Sequence, residues 1–238
     1  MLGADLQSLL GSRIPADHSH AVLADSYAAA WLARPDRPPA PEVLDLGCGA
    51  GDSVDLFRSL EPRVSWTGAD IDESPEVAER TRGDARFVTF DGERLPFGDA
   101  SFDLVYCKQV LEHVEHPREL LAEVARVLAP GGHLAGSTSQ LEAFHSRSTL
   151  NWTPYGFTRL AEEAGLEVIE LRPVIDGFTL VAWRALGLPR FFHRWWSRES
   201  PPYRVIELAA RAARLDVRTR NQMKLVLAGQ FAFLARRA

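Results

Sequence analysis

The stretch VLDLGCGAGDS, residues 43–53, decides the fold of this chain. An apolar run leads into a loop with glycines at alternate positions, Gly47, Gly49 and Gly51, and a helical pattern follows. Glycines in such a loop permit a tight turn and a close approach between the backbone and a bound ligand. The stretch therefore predicts a buried strand, a ligand-binding loop and a helix, the unit from which α/β folds are built.

The same alternation of apolar runs and helical stretches continues after the loop. Strands are predicted at 43–46, 65–69, 86–90, 102–106, 132–138 and 166–172, and helices at 51–60, 75–82, 117–129 and 154–164. Strands that alternate with helices indicate a parallel sheet joined by right-handed crossovers.

Two further segments flank this α/β pattern. Residues 1–40 are predicted to form an N-terminal helical cap, which ends in a proline-rich linker because proline disfavours helix. Residues 175–227 are predicted to form a helical insertion or lid. The expected organisation is therefore the cap, a core at 41–174, the insertion, and a last strand within 228–238 that completes the core.

Composition excludes several classes of protein. The 238 residues carry a net charge of -5, which argues against sequence-independent binding to nucleic acid. Two cysteines give no disulfide framework and no CxxC metal site, so no metal is expected. No long apolar run and no leader pattern is found, which predicts a cytoplasmic protein without integral membrane association. A homodimer is compatible with these features.

Three more stretches follow the glycine loop in a fixed order. They are WTGADID at 66–72, FVTFDGERLPF at 87–97, and SFDLVYC with VLEHV across 101–114. The loop spacing is G-x-G-x-G, whereas a dinucleotide-binding loop has G-x-G-x-x-G. In this order and spacing, residues 41–174 resemble class I (Rossmann-like) S-adenosylmethionine-dependent methyltransferases of the small-molecule type. The resemblance implies a seven-stranded, mostly parallel sheet with a reversed last strand.

The resemblance also implies a binding site for S-adenosyl-L-methionine. The glycine loop would contact its methionine part, Asp70 would accept both ribose hydroxyls, and Asp91 would receive the adenine amino group. Asp72 is a rival of Asp70 because it lies two residues away. The implied cofactor-binding residues are Asp45, Gly47, Cys48, Gly49, Gly51, Asp70, Ile71, Asp91, Gly92, Cys107 and Lys108.

Lys108 departs from the family pattern, in which many relatives carry serine or asparagine after the fourth strand. An ammonium beside the sulfonium of the cofactor is electrostatically unfavourable. We therefore expect the Lys108 side chain to point away from the cofactor or to pair with a carboxylate.

Three residues are candidates for acceptor chemistry. His113 follows the fourth strand, and its neutral imidazole could remove a proton, although it could equally orient the loop. His145 follows the fifth strand and is either a second base or a solvated loop residue. Tyr27 either closes over the ligands or packs as a core aromatic.

The insertion at 175–227 is rich in arginine and in aromatic residues, which include Trp183, Phe191, Phe192, Trp195 and Trp196. Three interpretations stay open: a lid over the substrate, a helix that faces a membrane surface, and ordinary packing against the sheet. With the cap, the insertion is predicted to form the substrate cover.

The predicted function is methyl transfer to a small-molecule acceptor, an O-methylation by in-line displacement that would suit bacterial secondary metabolism. One alternative is a non-catalytic, regulatory protein that binds S-adenosylmethionine or S-adenosylhomocysteine. A second, disfavoured by the glycine spacing, is an NAD-dependent oxidoreductase.

Overall fold

A computed structural model describes residues 3–142 and 146–238 of the chain. Its centre is one sheet of seven strands in the order β3-β2-β1-β4-β5-β7-β6. The strands are β1 Glu42–Leu46, β2 Ser65–Asp70, β3 Arg86–Thr89, β4 Phe102–Lys108, β5 Leu128–Ser139, β6 Leu166–Pro173 and β7 Gln230–Arg237.

Ten α-helices surround the sheet within the described residues. They are α1 Ala4–Leu10, α2 Ala24–Leu32, α3 Ser53–Leu60, α4 Pro75–Ala78, α5 Pro117–Val127, α6 Pro154–Glu163, α7 Gly177–Ala185, α8 Arg194–Ser197, α9 Pro201–Ala212 and α10 Val217–Val226. Short 3-10 turns lie at Gly11–Arg13, Leu111–His113 and Arg190–His193.

Strand direction and register explain where a site can form. Strands β1 to β5 run parallel, whereas β7 is antiparallel to both of its neighbours, β5 and β6. Leu46, at the end of β1, pairs with Ala69 and with Cys107, so β1, β2 and β4 finish side by side. In open α/β sheets, ligands bind at this carboxyl edge, where the strand order reverses. The predicted sheet with its reversed last strand is confirmed.

Apolar layers cover both faces of the sheet. One buried cluster includes Leu44, Val105 and Phe157, and the other includes Val43, Tyr106 and Trp31 from α2. The N-terminal segment is also tied to strand β6, because buried Arg172 forms ion pairs with Asp17 and Glu170. Residues of the predicted cap thus pack on the sheet itself.

Two elements differ most from their predicted bounds. Strand β5 begins at Leu128, directly after α5, and a register shift against β4 accommodates the turn at Gly131–Gly132. Helix α4 begins at Pro75 behind the N-cap Ser74 but ends at Ala78 instead of residue 82. None of the helices in the described ranges is long and apolar enough to cross a membrane.

Candidate functional site

The glycine loop, residues 47–51, connects β1 to α3 at the carboxyl edge of the sheet. Gly47 and Gly51 have φ angles of 72° and 87°, in the left-handed region that favours glycine. A Cβ atom on Gly47 would overlap the Val110 side chain, and one on Gly51 would lie 2.8 Å from Phe87 Cζ. Both positions therefore need glycine, for the dihedral angle and for space.

Asp70 ends β2 and holds the glycine loop from the neighbouring strand. Its Oδ2 accepts a hydrogen bond from Gly49 N at 2.6 Å, and its Oδ1 accepts one from Ile71 N at 2.8 Å. Burial raises the pKa of the Asp70 carboxyl, although both backbone hydrogen bonds act in the opposite direction. Because a carboxylate has about four acceptor sites, each oxygen keeps capacity for a further donor.

An apolar surface lies next to Asp70. Ile71 is 42% exposed although it is a large aliphatic residue, and Asp72 beyond it is exposed as well. Gly92 follows β3 with a φ of 90°, and a Cβ atom there would lie 3.6 Å from Ile71 Cγ2. Ile71 and Gly92 thus form an exposed apolar surface against which a planar ligand group could pack.

Asp91 stabilises the turn that follows β3. Its Oδ1 accepts hydrogen bonds from Glu93 N at 2.9 Å and from Arg94 N at 2.7 Å, and these bonds lower its pKa. Glu93 Oε1 lies on the surface, 3.4 Å from His116 Nε2. Asp91 is therefore ionised and exposed beside Gly92.

Asp45 and the two cysteines support the loop from inside. Asp45 accepts a hydrogen bond from Ser53 Oγ, which in turn accepts one from Trp66 Nε1 at 2.9 Å. Burial raises the pKa of Asp45 to about 7 and the pKa of Cys48 to about 12, and it also raises that of Cys107. These thiols are neutral and buried, so their role is packing.

Lys108 pairs with a carboxylate, which is one of the two arrangements expected from the sequence. Its Nζ lies 2.9 Å from Asp25 Oδ1 on α2, and the Tyr106 hydroxyl donates to the same carboxylate oxygen. Burial alone would raise the pKa of Asp25, but the hydrogen bonds from Tyr106 and Lys108 outweigh it, so that this pKa is lowered. The positive charge is thereby compensated at the edge of the sheet.

A cavity of about 240 Å³ opens beyond the end of β4, the strand that pairs with β1. Lys108 pairs with Ser137 across β4 and β5, so the cavity lies at the carboxyl ends of these strands. Its lining residues are Leu23, Ala24, Lys108, Gln109, Ser137, Glu142, Val174, Trp183, Arg184, Trp196 and Gln230. The start of α2 and the helical insertion thus both contribute walls. Gln109 has a φ of 57°, a left-handed conformation that is uncommon for this residue type.

A buried carboxylate, Glu142, forms the polar side of the cavity. It is 2% exposed and pairs with Arg184. Its Oε2 accepts hydrogen bonds from Ser139 Oγ at 2.9 Å and from Gln230 Nε2 at 3.0 Å. Two donors of the wall, Trp183 Nε1 and Arg184 Nε, are buried and have no partner within the described part of the chain. Buried donors without partners are rare in proteins, so they point to a ligand with acceptor atoms.

The three candidates for acceptor chemistry occupy different places. His113 ends the 3-10 turn after β4 and is half-buried on the same edge as the cavity. His145 lies outside the described residues. Tyr27 is buried and donates its hydroxyl to Glu170 Oε1 at 2.9 Å on β6, four strands away from β1. Tyr27 is therefore a packing residue of the core, and its side chain does not line the cavity.

The aromatic residues of the insertion divide between two surroundings. Trp183 and Trp196 lie edge to face with their ring centres 4.9 Å apart, and both line the cavity. Trp195 instead packs between Arg194 and Arg204, and Phe192 is buried beside Phe191. The sequence predicted an aromatic wall from a set that included Trp183 and Trp196, but it singled out Trp195 and Phe192 as the residues to test.

Sequence reasoning missed several residues of the site. Asp25 and Glu142 lack a recognisable motif, because each meets its partner only through tertiary packing. Arg80 was missed too, although its guanidinium donates twice to Gly49 O and stacks 4.1 Å from the centre of the Phe87 ring. The sequence did contain a signal for Arg80, since an arginine that follows a short helix near a glycine loop can donate hydrogen bonds to loop carbonyls.

The comparisons with known proteins agree with this geometry. A family model described as a methyltransferase domain matches residues 44–136. A probable S-adenosylmethionine-dependent methyltransferase of Mycolicibacterium smegmatis is 34% identical over 57% of this chain and 56% of that protein. A ubiquinone/menaquinone biosynthesis C-methyltransferase of Desulfotalea psychrophila is 36% identical over 42% of each chain. The chain thus aligns with about half the length of these relatives.

Solved structures show the same fold. A 1,6-didemethyltoxoflavin-N1-methyltransferase of Burkholderia thailandensis, solved with 1,6-didemethyltoxoflavin and S-adenosylhomocysteine, matches with a TM-score of 0.54. The match covers 90% of this chain and 76% of that chain at 19% sequence identity. At this identity the likeness concerns the fold alone.

The fold, the glycine loop with its facing carboxylate, and the family match define the class of protein. Residues 44–136 form a methyltransferase domain, and the sheet has the fold of class I, Rossmann-like S-adenosylmethionine-dependent methyltransferases. S-adenosyl-L-methionine is the cofactor of this family, and the loop and Asp70 fit it. Positive φ glycines leave room for close approach, and the carboxylate keeps acceptor capacity for hydroxyl groups.

Proposed function

We propose that this protein transfers a methyl group from S-adenosyl-L-methionine to a hydroxyl oxygen of a small, uncharged acceptor. The cavity at the ends of β4 and β5 carries this proposal, because it combines aromatic walls, a buried carboxylate and two unpartnered donors. Its volume of about 240 Å³ lies just below the usual range of ligand pockets, which suits a compact acceptor.

The cofactor side of the proposal rests on the carboxyl edge of β1 to β3. The glycine loop would hold the amino-acid part of the cofactor, Asp70 the ribose hydroxyls, and Ile71 with Gly92 the adenine plane. When bound, the cofactor supplies an electrophilic methyl group. The residues of this edge therefore need only bind and orient it.

The charges of the cavity favour an uncharged acceptor. Lys108 is compensated by Asp25 and Arg184 by Glu142, so neither cation is left for an anionic group. The Trp183 indole N–H would instead bind an oxygen atom of the acceptor, and the Trp183 and Trp196 rings would hold its apolar part. Such fixed placement is the main contribution to an in-line displacement.

Proton removal from the acceptor hydroxyl is assigned to Glu142 in this proposal. A buried carboxylate in the wall of the cavity can accept a proton as the bond to the methyl group forms. His113, on the same edge, is the rival base. A loss of turnover in Glu142→Gln but not in His113→Gln supports Glu142, and the reverse result supports His113.

A panel of small phenols, alcohols, amines and carbon acids tests the proposal directly. Mass spectrometry should detect a methylated product from an uncharged hydroxyl compound, and methylation at nitrogen or carbon would overturn the O-methylation. Trp183→Phe should raise KM for this acceptor about tenfold, because it removes one hydrogen-bond donor and keeps the ring. Trp152→Phe is the matched control, since that indole is buried in the apolar core and does not line the cavity.

The two alternatives make different predictions. A regulatory protein that only binds the cofactor should show calorimetric binding of S-adenosylhomocysteine and no product from any acceptor. An oxidoreductase should bind NAD in preference to S-adenosylhomocysteine.

We also place the reaction in the cytoplasm of a bacterium, in secondary metabolism. The two buried free thiols suit such a reducing compartment.

A further inference from the structure

Large apolar side chains that face solvent are concentrated in the helical insertion. Thirteen such side chains are strongly exposed among the described residues, and seven of them lie between residues 178 and 208. They include Leu186 at 65%, Phe191 at 56% and Leu208 at 70% exposure. Exposed apolar surface of this kind usually marks contact with a partner or a membrane.

The same segment carries a charge opposite to that of the whole chain. Residues 177–214 contain seven arginines and two glutamates, a net charge of +5, whereas the chain as a whole carries -5. Glu199 Oε2 lies 3.1 Å from Nζ of buried Lys224, and Glu207 pairs with Lys224 at 3.2 Å and with Arg211 and Arg220. Arg184 also pairs with Glu142, so the positive charge that the segment presents to solvent comes from its other arginines, which include the exposed Arg198 and Arg204.

Arginine and apolar side chains alternate along one continuous surface. The Arg194 guanidinium lies 5.5 Å from the Phe191 ring centre and 4.8 Å from that of Trp195. Arg204, on α9, lies 5.4 Å from the other side of Trp195. One turn further along α9, Leu208 joins Arg204 in the wall of an open cleft of about 560 Å³.

That cleft extends the basic surface. Arg198, Arg211 and Lys224 also line it, together with the carboxylates of Glu199 and Glu207. Guanidinium groups bind phosphate oxygens with two parallel hydrogen bonds. Arg198 and Arg204 therefore suit a phosphate group held beside an apolar phase, whereas Arg211 is already paired with Glu207.

We propose that residues 186–211, hereafter the basic apolar surface, bind the surface of an anionic phospholipid bilayer. The exposed aliphatic and aromatic side chains enter the boundary between headgroups and acyl chains, and the arginines bind lipid phosphates. No spanning helix is needed for this mode of attachment. The proposal is independent of the acceptor, because it concerns a surface outside the cavity.

Two other occupants fit the surface less well. A second copy of the chain in a two-fold dimer would bring two copies of the same positively charged surface together, which is electrostatically unfavourable. A nucleic acid would satisfy the arginines but would leave Leu186, Leu188 and Leu208 without an apolar partner. A bilayer that carries negative headgroups satisfies both kinds of side chain.

Vesicle sedimentation of the full chain tests this proposal. Vesicles of phosphatidylcholine mixed with phosphatidylglycerol should bind the protein, and vesicles of phosphatidylcholine alone should bind it at least about tenfold more weakly. Raised salt should weaken the binding. The double variant Arg194→Glu and Arg204→Glu should lose at least about tenfold in affinity for the mixed vesicles.

The matched control reverses two exposed arginines elsewhere, Arg118→Glu with Arg236→Glu. It changes the total charge equally and should keep nearly all of the binding. Leu208→Ser should weaken binding, whereas Leu9→Ser, on exposed α1, should not. S-adenosylhomocysteine affinity and thermal unfolding check that every variant is folded.

Three results would overturn the proposal. One is failure of the folded wild-type chain to bind mixed vesicles, and another is an equal loss in the control pair, which would reveal a general charge effect. The third is concentration-dependent dimerisation, or binding to DNA, that is abolished by Leu208→Ser while vesicle binding is absent. In that case the basic apolar surface binds a second copy of the chain or DNA.

Discussion

The cofactor edge and the acceptor cavity are adjacent, yet they are built in different ways. The cofactor edge comes from the ends of consecutive strands, so its residues lie within 45–108 of the chain. The cavity draws its walls from segments as far apart as Leu23 and Gln230. Strand topology alone assembles the first region, whereas the second exists only after the N-terminal segment and the insertion pack on the sheet.

The largest effect is expected from Gly47→Ala, which breaks the cofactor edge. The added Cβ meets Val110, and the left-handed φ of 72° disfavours alanine, which together should cost about 2–5 kcal/mol of stability. Binding of S-adenosylhomocysteine should fall below detection in calorimetry. Gly83→Ala is the control, because a Cβ there has nothing within 4 Å. Equal behaviour of the two variants would contradict the assigned role of Gly47.

The next effect tests the carboxylate that faces the loop. Asp70→Ala should lower affinity for S-adenosylhomocysteine about ten- to a hundredfold, because hydrogen bonds to a charged group contribute about 1.5–3 kcal/mol. Asp72→Ala should change it little, since that side chain is exposed beyond the strand end. A loss at Asp72 instead would move the ribose contact to that residue.

A substitution in the cavity should weaken use of the acceptor without weakening binding of the cofactor. Trp196→Ala removes an aromatic wall and should lower kcat/KM for the acceptor about tenfold, equivalent to about 1.4 kcal/mol. Affinity for S-adenosylhomocysteine should stay within about twofold. Trp195→Ala provides the comparison, because this ring lies between two arginines outside the cavity. If both variants lose cofactor binding and stability alike, these rings are ordinary core.

The contrast also explains what the sequence could predict. Short apolar runs located all seven strands, and the glycine loop located the carboxyl edge, because both signals are local. The shorter α4 and the early start of β5 escaped prediction, since tertiary contacts decide them. Glu142 and Asp25 escaped as well. Lys108 and Asp25 are 83 residues apart, and no local pattern records that they meet.

Asp45→Asn is expected to have the smallest effect on binding of the cofactor and of the acceptor. It tests the cofactor edge through the pH dependence of stability. The folded pKa of about 7 lies above the ordinary 3.8, so folded Asp45 stays protonated where the unfolded chain is ionised. Its contribution to stability is therefore complete below about pH 4 and is lost as the pH rises to about 7. The asparagine variant should lack this decline in urea unfolding measured from pH 4 to pH 8. An unchanged profile would show that Asp45 titrates normally.

A crystal structure with S-adenosylhomocysteine tests the central claim most directly. The account predicts that both ribose hydroxyls bind the Asp70 carboxylate and that the sulfur atom faces the cavity lined by Trp183 and Trp196. The two regions would then meet at the point where the methyl group is transferred. A ribose bound elsewhere, or a sulfur atom directed away from that cavity, would contradict the account.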